Sequence, residues 1–306
     1  MTAPSVKPVR VLVSGSSGLI GRALCASLAR SGHEVRRLVR TADPTAADAV
    51  GWDPRSGAVD RAGLEGTEAV VHLAGAGIGD RRWTAGRKIE LLSSRVEGTA
   101  AVVAAVSAMD PPPAVLVSAS AIGFYGDRGE EELTEESTPG SGFLADLCRR
   151  WEAAAGEAEA AGIRVVLLRS GIVLAPRGGA LGRQLPLFRA GLGGRLGSGR
   201  QWTSWISLDD EVRVVEHALA DEALRGPVNA VAPAPVRNRE FTAELGRALH
   251  RPAVLAVPAP VLRLALGREL VDEALLASQR VRPAALATAG FAFGHPTLPE
   301  AFAAVL

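Results

Sequence analysis

Cysteine and histidine are too scarce in this sequence to build a disulfide scaffold or a metal site. The chain has 306 residues with 2 Cys, Cys25 and Cys148, a usage typical of proteins from a reducing compartment. The 5 His and the two distant cysteines show no metal-ligand spacing. The sequence therefore predicts a protein without a disulfide framework and without a bound metal.

Long apolar runs and clusters of one charge are also missing. No run approaches the ~18–20 apolar residues that cross a bilayer, and residues 1–10 lack the apolar stretch of a signal peptide. Lys and Arg number 34 against 33 Asp and Glu, with no basic block, which argues against nucleic acid or an anionic membrane as the partner. With 47% hydrophobic residues, the composition predicts a globular, cytoplasmic protein.

Apolar strands alternate with amphipathic helices along the first half of the chain. Short apolar segments predict strands at 11–14, 34–39, 69–73, 114–118 and 164–168. The spacing of apolar residues predicts helices at 19–30, 91–109 and 143–161. Strands that are apolar throughout and separated by helices are typical of a parallel sheet covered on both faces. The predicted fold is α/β, a Rossmann-like doubly wound parallel sheet.

The regular alternation of strands and helices ends after Arg169. Residues 175–204 are rich in Gly, Arg and Pro, and residues 233–306 hold short helices divided by prolines. We therefore predict a sheet domain at 8–174 that takes in part of 205–232. Residues 175–204 and 233–306 would form a smaller, mostly helical substrate region.

Three glycines follow the first predicted strand and open the first helix. Gly15, Gly18 and Gly21 have the spacing G-x-x-G-x-x-G. Glycine permits a tight turn and a close approach of the backbone to a pyrophosphate, and the helix that follows presents free N–H groups and the positive end of its dipole. Glycine triplets also occur in ordinary turns, but strand, triplet and helix in this order predict a bound dinucleotide.

The end of the second predicted strand indicates which dinucleotide is bound. An NAD site usually has Asp or Glu about 20 residues further on, where it holds the ribose 2′-hydroxyl. This chain has Arg40 there, and a guanidinium suits a 2′-phosphate through charge-assisted hydrogen bonds. We therefore predict NADP as the cofactor. The alternative is an exposed arginine at a strand end.

Motifs along nearly the whole chain resemble those of one known family. They are the glycine loop, Trp52-Asp53-Pro54, His72-Leu73-Ala74-Gly75, Arg82-Trp83-Thr84, Ser94-Arg95-Val96-Glu97-Gly98-Thr99, residues 118–126, Leu168-Arg169-Ser170-Gly171, Trp205-Ile206 with Asp209-Asp210, and residues 278–293. Through them the sequence resembles the extended short-chain dehydrogenase/reductases, and within these the atypical "epimerase family" branch with an unassigned substrate. The motifs are specific for the branch and not for a reaction.

The resemblance implies a set of cofactor-binding residues. The pyrophosphate would be held by Gly15, Ser16, Ser17, Gly18, Leu19, Ile20 and Gly21. Asp53 would lie near the adenine, Leu73, Ala74 and Gly75 along the ribose, and Ser118 near the nicotinamide. Related enzymes often pair through helices of the large domain, so a homodimer is compatible with the resemblance.

The catalytic pair of the resembled superfamily is missing. Its members use Tyr-x-x-x-Lys, in which the lysine lowers the pKa of the tyrosine that exchanges a proton with the substrate. In this chain the single tyrosine, Tyr125, is followed four residues later by Gly129, and the only lysines are Lys7 and Lys88. Proton transfer, if it occurs, must therefore depend on other groups.

Other residues are candidates for that proton transfer. Alignment through Glu152 puts Leu144 and Cys148 at the usual tyrosine and lysine positions. The predicted catalytic residues are Ser120 and Tyr125, because both lie at or just after the Ser-rich strand end. Further candidates, in which packing roles are at least as plausible, are His72, Arg95, Asp146 and Cys148.

The sequence does not determine the substrate. Arginines recur within 81–95 and 177–200 and would suit a phosphate or carboxylate, as in a nucleotide-sugar. The alternative is that these arginines lie on a solvent-exposed face, where the acidic residues of 130–136 balance their charge. Trp202 and Trp205 could stack on a sugar or base, or fill the core.

The sequence thus predicts an NADP-dependent oxidoreductase or epimerase with a small polar or nucleotide-linked substrate. The alternative is a catalytically weak NADP(H)-binding sensor or regulatory protein, which the missing Tyr/Lys pair favours and the retained serines and Tyr125 disfavour. A purely structural use of the fold would predict no dinucleotide binding at all.

Overall fold

Strands and helices alternate in the computed structural model, which describes residues 8–40 and 46–306. The strands are β1 (Arg10–Ser14), β2 (Glu34–Val39), β3 (Ala49–Asp53), β4 (Ala58–Val59), β5 (Ala69–His72), β6 (Val115–Ala121), β7 (Glu132–Leu133), β8 (Arg164–Ser170), β9 (Ile172–Leu174), β10 (Gly194–Leu196), β11 (Trp202–Thr203), β12 (Trp205–Ser207), β13 (Gly226–Ala230), β14 (Val236–Arg237), β15 (Leu255–Val257) and β16 (Arg280–Val281). The helices are α1 (Leu19–Arg30), α2 (Ala85–Ser107), α3 (Phe143–Gly156), α4 (Gly179–Arg189), α5 (Leu208–Ala220), α6 (Asn238–Ala248), α7 (Ala259–Leu266), α8 (Arg268–Leu270), α9 (Ala284–Thr288) and α10 (Leu298–Val305). Within these two ranges, no helix combines the length and apolarity needed to cross a membrane.

Eight strands form one large sheet in the order β13-β8-β6-β5-β1-β2-β3-β4. Neighbours run parallel except β3 and β4, which are antiparallel. The chain progresses outward in opposite directions from β1 and β5, and such a reversal leaves a crevice at the carboxyl ends of the two strands. The predicted doubly wound parallel sheet is confirmed.

Both faces of this sheet are covered by helices, because successive strand residues point to opposite sides. On one face Val13 and Val71 pack in a cluster with Leu24 of α1. On the other face Leu12 and Val70 pack in a cluster with side chains of α2 and α3. Burying one such side chain stabilises the fold by ~1.5–3 kcal/mol, which explains why the strands read as continuously apolar.

A separate apolar cluster holds the C-terminal region together. Leu181, Leu185 and Phe188 of α4 pack with Phe241 of α6 and Phe302 of α10. Helix α4 lies within 175–204, part of the region predicted to be mostly helical, although no individual helix was predicted in this Gly- and Pro-rich stretch. It forms because its three large apolar residues, spaced four and three apart, face the same cluster.

The C-terminal region also contacts the segment that leads into α2. Arg82 donates to the backbone carbonyls of Leu264 and Ala265, and Lys88 Nζ lies 2.8 Å from a carboxylate oxygen of Glu269. These contacts fix the segment beside the carboxyl edge of the sheet, where the candidate site lies.

Candidate functional site

The glycine loop is packed directly against the segment that follows β5. Gly15 has φ +65, and a Cβ there would lie 2.8 Å from the carbonyl carbon of Leu73. A Cβ on Gly21 would lie 2.2 Å from the carbonyl oxygen of Gly15. A larger residue at position 15 would push the loop away from the segment after β5, and one at position 21 would push it away from α1. The two glycines therefore bring the N-terminus of α1 to the edge of the sheet. That N-terminus offers unpaired N–H groups for an anion.

Ser14, which sequence reasoning did not single out, holds this segment in place. Its Oγ accepts hydrogen bonds from the N–H groups of Leu73 and Ala74 at 3.0 and 3.2 Å. The single hydroxyl proton of Ser14 is then free to bond Nδ1 of His72, 2.7 Å away. The only sequence signal for this role is the position of a serine directly before the first glycine.

His72 is consequently a neutral, packed side chain. Because Nδ1 accepts from Ser14, the ring proton lies on Nε2, which is buried and has no partner among the described residues. Burial lowers the pKa of His72 to about 4. The ring of Trp52 meets it edge to face at 6.0 Å between centroids. This environment favours a packing role over acid–base catalysis.

A cleft of about 680 Å³ follows the carboxyl edge of β1, β2 and β5. Of the predicted cofactor residues, those that line it are Gly15, Ser16, Ser17, Gly18, Arg40, Leu73, Ala74 and Gly75. Those outside its lining are Leu19, Ile20, Gly21, Asp53 and Ser118. The lining also includes residues that sequence reasoning did not single out, among them Arg55, Asp80 and Ser93.

Arg40 marks one end of the cleft, at the end of β2. The two arginines before it are engaged elsewhere, since Arg36 pairs with Glu34 and Arg37 with Asp48. The carboxylate of Asp53 is folded into its own turn, where it accepts from the Arg55 N–H and the Ser56 hydroxyl at 2.9 Å each. Of the three arginines at the end of this strand, Arg36, Arg37 and Arg40, only Arg40 therefore lines the cleft.

Arg87 and Asp80 lie at the other end of the cleft. The Arg87 side chain is buried and pairs with Glu90 at 2.7 Å, while it also donates to the carbonyl of Gly77. Asp80 pairs in turn with Arg183 of α4. These contacts link the cleft wall to the C-terminal region.

The predicted catalytic residues Ser120 and Tyr125 belong to a buried polar network, not to the cleft lining. Ser120 donates to Glu152 at 2.6 Å, and Tyr125 donates to Asn229 Oδ1 at 2.7 Å. Arg169 connects the two halves, because it donates to both carboxylate oxygens of Glu152 at 2.9 Å and to the Tyr125 hydroxyl at 3.0 Å. Burial raises the pKa of Tyr125. Proton transfer by these two residues stays a prediction, and their partners favour a structural role.

The positions that alignment gives to the missing tyrosine and lysine lie side by side near the end of β6. A Cβ on Gly123 would lie 3.3 Å from Cβ of Leu144 and 3.8 Å from Sγ of Cys148. Burial raises the pKa of the Cys148 thiol to about 12, which leaves it protonated and unreactive at neutral pH. Asp146 points to the surface of α3, where it pairs with Arg149 and Arg150.

Comparisons with known proteins agree with this geometry. A model described as the NAD dependent epimerase/dehydratase family matches residues 11–230, and one described as a domain of unknown function (DUF1731) matches residues 257–305. The chain is 49% identical over 291 residues to the epimerase family protein Mb2239 of Mycobacterium bovis, with 95% of each covered.

Two solved structures are also similar over nearly all of this chain. The crystal structure of human epimerase family protein SDR39U1 with NADPH is 36% identical, with a TM-score of 0.88 and coverage of 97% of this chain and 99% of that one. A nucleoside-diphosphate sugar epimerase from Corynebacterium glutamicum is 38% identical, with a TM-score of 0.80, and this chain spans 58% of its length.

Proposed function

The chain belongs to the NAD dependent epimerase/dehydratase family, as its motifs predicted, and from this premise we propose that it is an NADP-dependent oxidoreductase or epimerase. The observation that carries the proposal is that the glycine loop and Arg40 line one and the same cleft. The human relative, crystallised with NADPH, supports the same cofactor here.

In this proposal each part of the cleft binds one part of the cofactor. The N–H groups at the start of α1 hold the pyrophosphate, because they are unpaired and lie at the positive end of the helix dipole. Arg40 donates charge-assisted hydrogen bonds to the 2′-phosphate. Ser14 orients the Leu73–Ala74 backbone along the ribose through its two N–H contacts. The bound nicotinamide would supply or accept the hydride.

The Corynebacterium relative supports a nucleotide-linked or other small polar substrate, because that protein is described as a nucleoside-diphosphate sugar epimerase. The arginines that border the cleft, Arg55 and Arg81 among them, supply charges that suit a phosphate or carboxylate. We propose this substrate class for the present chain.

Titration with NADPH and NADH tests the cofactor proposal. Arg40→Ala is expected to weaken NADPH binding about 10- to 100-fold, since hydrogen bonds to charged groups contribute ~1.5–3 kcal/mol, and to leave NADH binding unchanged. Arg36→Ala is the matched control, because Arg36 lies on the same strand, pairs with Glu34 and does not line the cleft. Equal weakening of both cofactors by Arg40→Ala would contradict the role given to Arg40.

A catalytically weak NADP(H)-binding sensor is the second candidate. It is favoured by the absence of the Tyr/Lys pair and by the buried hydrogen-bond partners of Ser120 and Tyr125. The two functions separate in one assay, the consumption of NADPH with a panel of carbonyl compounds and nucleoside-diphosphate sugars. Turnover of any of them favours the enzyme, and tight NADPH binding without turnover favours the sensor.

A further inference from the structure

One buried arginine lacks the partner that the others have. Arg87, Arg95 and Arg169 are all buried, and Arg87 and Arg169 each pair with a glutamate. Arg95 pairs with no carboxylate of the described residues, and its one hydrogen bond among them runs from Nη1 to the Leu91 carbonyl at 3.3 Å. A guanidinium carries five N–H donors, and those of Nε and Nη2 have no acceptor among the described residues, while neither nitrogen is fully closed off from the surface. A buried charge in this state is costly unless an anion compensates it.

The chain satisfies a comparable arginine in another way. Arg164 is partly buried and has no carboxylate of residues 8–40 or 46–306 in hydrogen-bond contact, yet its guanidinium donates to the backbone carbonyls of Ala218, Leu219 and Leu224 at 2.7–3.4 Å. Arg95 has only one such carbonyl. A purely structural arginine would therefore be expected to have more acceptors than Arg95 has.

The guanidinium of Arg95 lies between the cleft wall and α3. On one side a Cβ on Gly75, which lines the cleft, would be 3.1 Å from Cζ and 3.3 Å from Nη2 of Arg95. On the other side Cζ lies 4.9 Å from the ring of Trp151, an arrangement that fixes the plane of the group. Desolvation lowers the pKa of Arg95 only to about 10, so the side chain is still charged at neutral pH.

This place coincides with the catalytic end of the resembled enzymes. The Cys148 thiol, at the position that alignment gives to the missing lysine, lies three residues before Trp151 on α3, and Arg95 packs against the ring of Trp151. The cofactor phosphates are already assigned to the glycine loop and to Arg40. An anion that compensates Arg95 would therefore come from a different molecule.

We propose that the guanidinium of Arg95, which lies beside Gly75 and is not itself part of the cleft lining, binds an anionic group of the second substrate, a carboxylate or a phosphate. The proposal rests on the proposed function, in which NADPH occupies the cleft. Arg95 would then select anionic substrates over neutral carbonyl compounds.

The test compares anion binding by three variants of the full chain. Arg95→Met keeps an unbranched stem against Trp151 and removes the charge, whereas Arg95→Lys keeps the charge and loses the planar fork. Arg164→Met is the matched control, because it removes a partly buried arginine at the start of β8 that does not line the cleft. Formate and inorganic phosphate are titrated into the NADPH complexes at constant ionic strength, and nicotinamide fluorescence and melting temperature are followed. NADPH and adenosine 2′,5′-bisphosphate affinities are measured on the same variants.

The expected result is saturable binding of formate or phosphate by the wild type and by Arg164→Met, weakened about tenfold or more in Arg95→Met, with unchanged NADPH affinity. Wild-type anion affinity in Arg95→Met would overturn the proposal, and so would the absence of saturable anion binding by the wild type. Loss of NADPH affinity in Arg95→Met with unchanged adenosine 2′,5′-bisphosphate affinity would also overturn it, because the guanidinium would then serve the cofactor.

Two further outcomes are distinguishable. If Arg95→Met does not fold, Arg95→Lys decides by the same criteria, with a smaller expected loss of anion affinity. If the wild type does not bind NADPH, the proposed function fails by itself, and the anion titration of the protein alone decides whether Arg95 binds an anion.

Discussion

Removing the charge of Glu152 is expected to destabilise the protein by ~3–5 kcal/mol, the usual cost of leaving a buried partner charge uncompensated. The side chains of Arg169 and Glu152 are only 5% and 9% exposed, and they meet at 2.9 Å. In Glu152→Gln the amide oxygen can still accept one hydrogen bond from Arg169, but the buried guanidinium no longer has a counter-charge. Ser120 would also exchange a charged acceptor for a neutral one.

The effect can be measured by urea unfolding followed by circular dichroism. Asp146→Asn is the control on the same helix, since Asp146 pairs with Arg149 at the surface, where the two side chains are 36% and 53% exposed. Exposed pairs of this kind contribute ~0–1 kcal/mol. The double variant Glu152→Leu/Arg169→Met removes both buried charges and is expected to recover part of the loss.

A cost below ~1 kcal/mol for Glu152→Gln, or a cost equal to that of Asp146→Asn, would refute this reasoning. Such a result would mean that water reaches the pair. It would then weaken the structural interpretation of Ser120 and Tyr125, because both derive their partners from this network.

Two more substitutions test other parts of the molecule. Glu211→Gln is expected to stabilise the protein above about pH 7 by up to ~3 kcal/mol, because burial raises the pKa of Glu211 from 4.5 to about 7, while its only hydrogen-bond partner among the described residues is the Ser170 hydroxyl. Between pH 4.5 and about 7 the folded state binds more protons than the unfolded state, so the wild type loses stability relative to the variant as the pH rises through this range. Thermal unfolding of both proteins across this range measures the effect, and a stability difference that does not change with pH would contradict it. Ser14→Ala is expected to cost ~1–3 kcal/mol, because the Leu73 and Ala74 N–H groups lose their acceptor, and to weaken NADPH binding. Urea unfolding and NADPH titration measure both effects, and a variant unchanged in both would show that the segment after β5 is held by other contacts.

The fold could be predicted from the sequence where the signal is local. Strand β2 was predicted with the observed bounds, Glu34–Val39, because Gly32 ends the preceding helix just before it. Helix α2 was predicted to begin at residue 91 but begins at Ala85, where the side chain of Thr84 accepts a hydrogen bond from the Arg87 N–H. The polar first turns carry no apolar spacing, so only this cap marks the true start.

The part of the candidate site that is formed by the backbone could be predicted from the sequence. The glycine loop is recognisable because the conformation itself requires glycine. The partners of Tyr125 were not predictable, since Asn229 lies 104 residues further along the chain and only the packing of the sheet brings them together. The same holds for Arg95, whose isolation from carboxylates depends on the positions of many other residues.

The scarcity of lysine gives the contact between α2 and the C-terminal region a practical use. Lys88 is the single lysine in residues 8–40 and 46–306, since Lys7 lies outside the described residues, and its ammonium group is engaged by both oxygens of Glu269. An amine-reactive reagent therefore has one side-chain target in this part of the protein, and the rate of its modification depends on how often that contact opens. Mass spectrometry of the labelled peptide, with and without cofactor, would thus measure the opening of the C-terminal region without any engineered probe.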